Sequence, residues 1–242
     1  MSEALLEIKG VSKHFGGFAA LTDVSIEVKR GERFGLIGPN GSGKTTLINC
    51  VSGALRNEAG AIVFAGEEIS GLPAYQRTRR GIARSFQIPR PFSSMSVLEN
   101  LIVPLEFVVH RRSLHHADTR AEAMAILKTI GLADKADTPS NRLSQVELRK
   151  MELARAMAAT PRLLISDEAM AGLSSNEVAE VLDILFKLNE TGITIIMIEH
   201  IMQAVMRFSQ RVVCLDAGKI ICEGTPQTIV KNGDVQKAYL GA

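Results

Sequence analysis

The chain has 242 residues, 46% of them hydrophobic and 22% charged, ordinary globular usage that excludes a disordered chain and is enough to bury a full core as one large domain or two small ones. Lys and Arg total 28 against 26 Asp and Glu, a formal net charge of +2, which excludes a general nucleic-acid binder. The longest apolar run, 193–198, falls far short of the roughly 20 residues a membrane span needs, so any membrane role is expected to come through a partner. The opening MSEALLEIKG has neither a basic nor an apolar leader region, and no secretory signal is expected. Cys50, Cys214 and Cys222 form no CxxC and no even framework, and are expected to be buried apolar side chains in a reducing compartment.

Alternating apolar residues predict strands over 5–11 and 24–28. A short apolar run at 34–37 predicts a buried strand that leads directly into GPNGSGKTT, and LINCVSGAL predicts the helix after it. Residues 61–65 with the Gly66 turn predict a hairpin. From about 97 to 157 the pattern is helical, in three blocks punctuated by Gly131 and Pro139. LLISDE then predicts a buried strand, 177–188 a helix and ITIIMI a further buried strand. VVCLDAGKIICEG predicts a hairpin turning at Ala217-Gly218. A helical insertion thus interrupts an α/β core.

The strongest chemical signal is Gly38, Pro39, Asn40, Gly41, Ser42, Gly43, Lys44, Thr45 and Thr46, set between a strand and a helix. Glycines let backbone N–H groups approach phosphates, and the helix adds its positive end. Lys44 is expected on the β- and γ-phosphates of a nucleotide, and the Thr45 hydroxyl on Mg2+. Asp167 and Glu168 end a buried strand on the side where open α/β sheets bind ligands. Asp167 suits Mg2+ support and Glu168 suits activation of a water, although acids at a helix start are also common. His200 ends the next buried strand, where it could donate to a γ-phosphate. The Arg77, Arg79, Arg80 and Arg84 run, and Arg111-Arg112 with His115-His116, are expected to be solvated faces.

In this order the motifs resemble the nucleotide-binding subunit of an ABC transporter over essentially the whole chain. GPNGSGKTT stands at the Walker A loop, Gln87 at the Q-loop, LLISDE at Walker B, AGLS at the D-loop and His200 at the switch histidine. The resemblance implies ATP and Mg2+ as ligands and ATP hydrolysis as the activity. Glu168, His200 and Gln87 would be catalytic, and Thr45, Gln87 and Asp167 would meet the metal. It implies a P-loop NTPase core of RecA-like α/β type with an antiparallel β part, the core spanning about 1–87 and 158–242 and an inserted helical subdomain about 88–157. Phe15 stands where the family stacks an aromatic on adenine; a plain core phenylalanine is the alternative. KHFGGFAALTDVSIEV, ARSFQIPRPFSSMSVLENL, IEHIM and EGTPQTIV with AYLGA are similar to the ATP-binding proteins of bacterial branched-chain amino acid importers. The lipopolysaccharide-export ATPases are the nearest rival, and a soluble non-transport P-loop ATPase and a non-hydrolysing regulatory subunit are more distant ones.

The resemblance further implies a second ATP-binding subunit, transmembrane permease subunits met by the segment near 87–101, a periplasmic binding protein, no nucleic acid, and a peripheral place on the cytoplasmic face of the inner membrane. The chain departs from the family pattern at three places. Ala169 follows Walker B where proline is usual, Ile201 follows the switch histidine where aspartate is usual, and LSQVE (143–147) replaces LSGGQ. Ser144 and Val146 would reach the partner's ATP, and Ser-x-x-Glu also reads as a capping box. If Val146 needed positive φ, it would be strained. A heterodimer is therefore favoured, with hydrolysis mainly at this chain's own phosphate loop, and glycine at Val146 is expected to raise activity at the second site.

Overall fold

The computed structural model describes residues 3–86, 89, 91–109 and 116–240. In chain order these form β1 (Ala4–Phe15), β2 (Phe18–Lys29), β3 (Arg33–Ile37), α1 (Lys44–Ser52), β4 (Ala59–Phe64), β5 (Glu67–Glu68), α2 (Ala74–Arg79), β6 (Ile82–Ser85), α3 (Val97–Pro104), α4 (His116–Ile130), α5 (Gln145–Met157), β7 (Leu163–Asp167), α6 (Ser175–Glu190), β8 (Thr194–Ile198), α7 (Met202–Phe208), β9 (Arg211–Asp216), β10 (Lys219–Gly224), α8 (Pro226–Lys231) and α9 (Gly233–Leu240).

Two sheets carry the fold. One is antiparallel, in the order β2-β1-β4-β5, and the other runs β10-β9-β3-β8-β7-β6. In the second sheet β9, β3, β8, β7 and β6 are parallel and β10 is an antiparallel edge. Every residue of β7 and β8 is buried, as expected of strands covered on both faces. β8 lies between β3, which feeds the phosphate loop, and β7, which ends in Asp167. The three motif-bearing strand ends therefore meet at one edge of the sheet.

Both hairpin turns form at the expected places. Ala65 and Gly66 have φ of 52° and 83°, and Ala217 and Gly218 have φ of 43° and 76°. Positive φ at both central residues is the twist that matches a tight two-residue hairpin. β1 and β2 run well beyond the predicted 5–11 and 24–28, joined at Gly16-Gly17 and broken by irregular register. Helices α3, α4 and α5 pack on one another, and α5 also packs on β6 and β7. Their apolar faces share one core with α6 and the adjoining sheet face.

The basic run 77–84 is not a solvated face as a whole. Arg77 is 1% exposed. Its guanidinium donates to the carbonyls of Cys50 (2.5 Å) and Val51 (2.9 Å) in the last turn of α1, and to Leu72 (2.9 Å) and Ser70 (2.9 Å). It thereby closes the C-terminal end of the phosphate-loop helix, whose last carbonyls lack helical partners. Arg77→Met should cost at least about 3 kcal/mol, because each buried carbonyl left without a donor costs about 1–3 kcal/mol. The melting temperature should fall by on the order of 10 °C; a melting curve unchanged from the parent would refute this role. Arg79 is exposed, as expected. Cys50 and Cys214 are buried, whereas Cys222, on the edge strand β10, is only half-buried.

Candidate nucleotide site

The phosphate loop is built by close approach. Gly38 has φ of 150°, and a Cβ there would lie 2.2 Å from the Leu215 carbonyl oxygen, so only glycine fits. The Gly218 N–H of the β9–β10 turn donates to the Ser42 carbonyl at 3.0 Å, and Thr22 N–H of β2 donates to the Gly218 carbonyl at 2.9 Å. The antiparallel sheet and the edge hairpin thus brace the loop together. Gly43 precedes α1, and neither a side-chain cap nor an acidic residue occupies that helix start. Its first-turn N–H groups are left to whatever anion enters.

Lys44 is 5% exposed. Its Nζ donates to the carbonyls of Gly38 (2.7 Å) and Pro39 (2.9 Å). Burial pushes the ammonium's pKa down, and the charges of Glu168, Cys214 and Asp167 oppose that shift. A cleft of about 240 Å³ opens here, lined by Phe15, Phe18, Asn40–Thr46, Glu168 and His200. That is below the roughly 300–1,000 Å³ of complete ligand pockets, as befits an open half of a site. Phe15 is 49% exposed, so it is no core residue; it stands at the cleft with Lys13 Nζ 5.5 Å from its ring centre. Phe18, across the Gly16-Gly17 turn, is a further lining aromatic, 62% exposed, whose place no apolar periodicity signals.

Glu168 follows β7 with φ of 48°, a sparsely populated conformation for a residue with a side chain. Its N–H donates to the Ile198 carbonyl at 2.9 Å, and its Oε1 lies 2.9 Å from His200 Nε2. The two expected catalytic side chains thus meet directly. Asp167, next in sequence to Glu168, is buried and does not line the cleft. Arg84 Nη2 and Nε donate to its Oδ2 at 2.5 and 3.2 Å, and Arg84 Nη1 donates to Asn49 Oδ1 at 2.7 Å. Arg84 too was expected in a solvated run, and the structure corrects that: it ties β6, α1 and β7 into one unit. Gln87 lies outside the described residues.

The 143–147 segment is elsewhere. None of its residues lines the cleft. Ser144 caps α5, accepting from Glu147 N–H at 3.4 Å while its own N–H donates to Glu147 Oε2 at 2.8 Å, so the capping box forms. Val146 lies in the first turn of α5 without positive φ, and its side chain packs on the apolar core. The conditional strain at Val146 is therefore absent: the helix begins at Gln145, and a β-branched residue is at ease in a first turn. Arg149 of α5 reaches the Ala171 carbonyl at 3.3 Å, joining this helix to the turn after Glu168.

Glu199 was not singled out by the sequence. It is 1% exposed and accepts from the Met170 N–H at 3.0 Å. Burial pushes its carboxyl up to about 7, aided by the charges of Glu168 and Asp167 and opposed by the backbone bonds from Met170 and His200. The folded pKa lies above the unfolded value of about 4.3, so between these values the native state holds more proton than the unfolded chain. Glu199's contribution to stability is full below about pH 4.3 and is lost as pH rises through about 7. Glu199→Gln keeps an acceptor for Met170 and removes the charge. It should stabilise the protein at pH 8 by on the order of 2–3 kcal/mol and leave pH 4 stability nearly unchanged, read from urea unfolding. An equal effect at both pH values would rule this out.

A family model described as "ABC transporter" matches residues 21–171, and one described as "Branched-chain amino acid ATP-binding cassette transporter" matches residues 219–242. Over its whole length the chain is 37% identical to the high-affinity branched-chain amino acid transport ATP-binding protein LivG of Salmonella typhimurium, covering 99% of it. It is 36% identical to BraF, of the same description, from Pseudomonas aeruginosa, at 100% and 99% coverage. The lipopolysaccharide export system ATP-binding protein LptB of Haemophilus influenzae is 33% identical, at 98% coverage of both chains. The ADP conformation of an ATP-binding cassette of an ABC transporter superposes with a TM-score of 0.91 at 30% identity, covering all of both chains. A dimeric post-hydrolysis cassette bound to ADP and Pi gives a TM-score of 0.82 at 26% identity, covering 91% of this chain and 98% of that one.

Proposed function

The chain belongs to the ABC transporter family, as an ATP-binding and ATP-hydrolysing protein, and on that premise we propose that it powers import of branched-chain or related amino acids through partner permease subunits. The observation that carries the reading is the pairing of a cleft holding the phosphate loop, Glu168 and His200 with a C-terminal segment, 219–242, matching the branched-chain amino acid model. The identities of 37% and 36% to LivG and BraF, against 33% to LptB, support amino acid transport over lipopolysaccharide export.

In this reading adenine stacks on Phe15, and the phosphates lie over Gly38–Thr46 with Lys44 turned onto them. Glu168 takes a proton from the attacking water, and His200, 2.9 Å away, holds Glu168 and the γ-phosphate end. The donors suit a hard divalent cation such as Mg2+: the exposed Thr45 hydroxyl and the Asp167 carboxylate, whose Oδ2 is fixed by Arg84. Such an ion would neutralise phosphate charge; Gln87 is the remaining proposed contact.

The cleft lacks Ser144 and Val146, which supports a second ATP-binding subunit whose own signature segment would complete it. Ser144 and the α5 N-terminus would in turn face the partner's ATP. Because 143–147 reads LSQVE in place of LSGGQ, we favour a heterodimer with hydrolysis mainly at this chain's loop. The segment near 87–101 would meet the permease, a periplasmic binding protein would deliver the solute, and the assembly would sit at the cytoplasmic face of the inner membrane. Among the described residues no helix is long and apolar enough to cross a membrane. Purification of the tagged chain from solubilised membranes should recover two permease subunits and a second ATPase, and the complex in liposomes should take up leucine with ATP. Recovery instead of lipopolysaccharide-export components, or of no membrane protein, would overturn the import reading.

A further inference from the structure

The C-terminal helix reaches the phosphate loop. α9 packs on α8 and β10, and its Val235 is buried with Ile37, Val205, Val212, Cys214 and Ile229. Ile37 ends β3, so the sheet ladder stops one residue before Gly38. Beyond the ladder, the Gly38 N–H donates to the Tyr239 hydroxyl at 2.8 Å, across 201 positions of sequence. The Gly38 carbonyl accepts from Lys44 Nζ at 2.7 Å. One residue is thus clamped from both sides, by α9 at its N–H and by Lys44 at its carbonyl. Burial pushes the Tyr239 phenol up to about 12, so the hydroxyl is neutral and able to accept at physiological pH.

We propose that Tyr239 is a positioning residue for nucleotide: when Lys44 leaves the Gly38 carbonyl for the phosphates, the Tyr239 hydroxyl keeps the Gly38 peptide in place, which couples docking of α9 to nucleotide binding. The inference rests on the nucleotide site proposed above and adds a partner for it from the end of the chain. Binding linkage is reciprocal, so nucleotide tightens α9 to the degree that α9 tightens nucleotide.

The test uses the full chain, ADP and ATP with Mg2+, calorimetry, and amide hydrogen exchange over residues 233–240. In the parent, nucleotide should slow exchange in α9. Tyr239→Phe, which removes only the hydroxyl, should weaken nucleotide affinity about three- to tenfold, the worth of one neutral hydrogen bond. It should also abolish the α9 protection and, because the Gly38 bond is already made without nucleotide, lower the nucleotide-free melting temperature by only a few degrees. A packing role alone would lower that melting temperature and leave nucleotide affinity intact. Parent affinity in Tyr239→Phe, or α9 exchange that ignores nucleotide in a parent that binds it, overturns the proposal. A parent that binds no nucleotide overturns the nucleotide site itself. The exchange measurement on the parent needs no variant, so it decides even if the substitution harms folding.

Discussion

Glu168→Gln should abolish nearly all ATP turnover while leaving nucleotide binding in place. General-base assistance is worth about 10²–10⁴-fold, and glutamine keeps the shape of the side chain but cannot take the proton. The position has features of a reactive centre. Its backbone is held at φ 48°, a conformation that costs on the order of 1–3 kcal/mol and persists where surrounding structure enforces it. The enforcing contacts are the N–H bond to the Ile198 carbonyl and the 2.9 Å contact to His200. Asp167, Thr45 and the loop N–H groups are untouched by the change, so affinity should survive. Turnover should be measured with the permease complex assembled, and in the favoured heterodimer the loss should exceed that from the equivalent change in the partner. Near-parent turnover would remove Glu168 from the chemistry, and equal losses in the two subunits would remove the asymmetry.

What the sequence made legible follows from which residues have local reasons for their conformation. β3, β7 and β8 read as apolar runs because both faces are covered. The loop between β3 and α1 reads from its glycines, and the 217–218 turn from Ala-Gly at the centre of two apolar stretches. The ends of β1 and β2 did not read, because residues 12–19 lie mostly at an exposed, irregularly paired tip with no periodic apolar face. β6 was hidden by Arg84, a polar residue in a strand, whose reason for being there is Asp167, 83 positions away. Arg77 was hidden in the same way, since its carbonyl partners in α1 come from a segment 26 and 27 positions earlier.

The site shows the same division. Lys44, Asp167, Glu168 and His200 follow from motif spacing, and the structure brings them to one strand edge. Val146 did not follow, because the strain expected of it depended on a φ that only the start of α5 decides. Tyr239 and Glu199 carry no motif at all. Their meaning comes from a hydrogen bond to Gly38 in one case and from burial in the other, and both are properties of the folded chain.

Lys44→Ala should lower nucleotide affinity by roughly 10²- to 10³-fold, since charge-assisted hydrogen bonds to phosphate are worth about 1.5–3 kcal/mol each. On sequence grounds such a loop lysine has little packing role, and its loss should leave the fold untouched. The structure changes the second half of that expectation. Lys44 is nearly buried and ties the Gly38 and Pro39 carbonyls together. Removing it takes away the loop's internal clamp as well as its phosphate ligand. A modest loss of stability, about 1–2 kcal/mol, should therefore accompany the loss of binding. The two effects separate cleanly, because nucleotide should raise the melting temperature of the parent and not that of the variant, while the nucleotide-free melting temperatures differ by only a few degrees. Calorimetric titration with ADP measures the first effect and thermal unfolding without nucleotide the second. Unchanged affinity in the titration would remove Gly38–Thr46 as the phosphate-binding loop. Unchanged nucleotide-free stability would mean that the two carbonyl bonds of Lys44 do not hold the loop, and that Tyr239 and the Gly218 turn hold it alone.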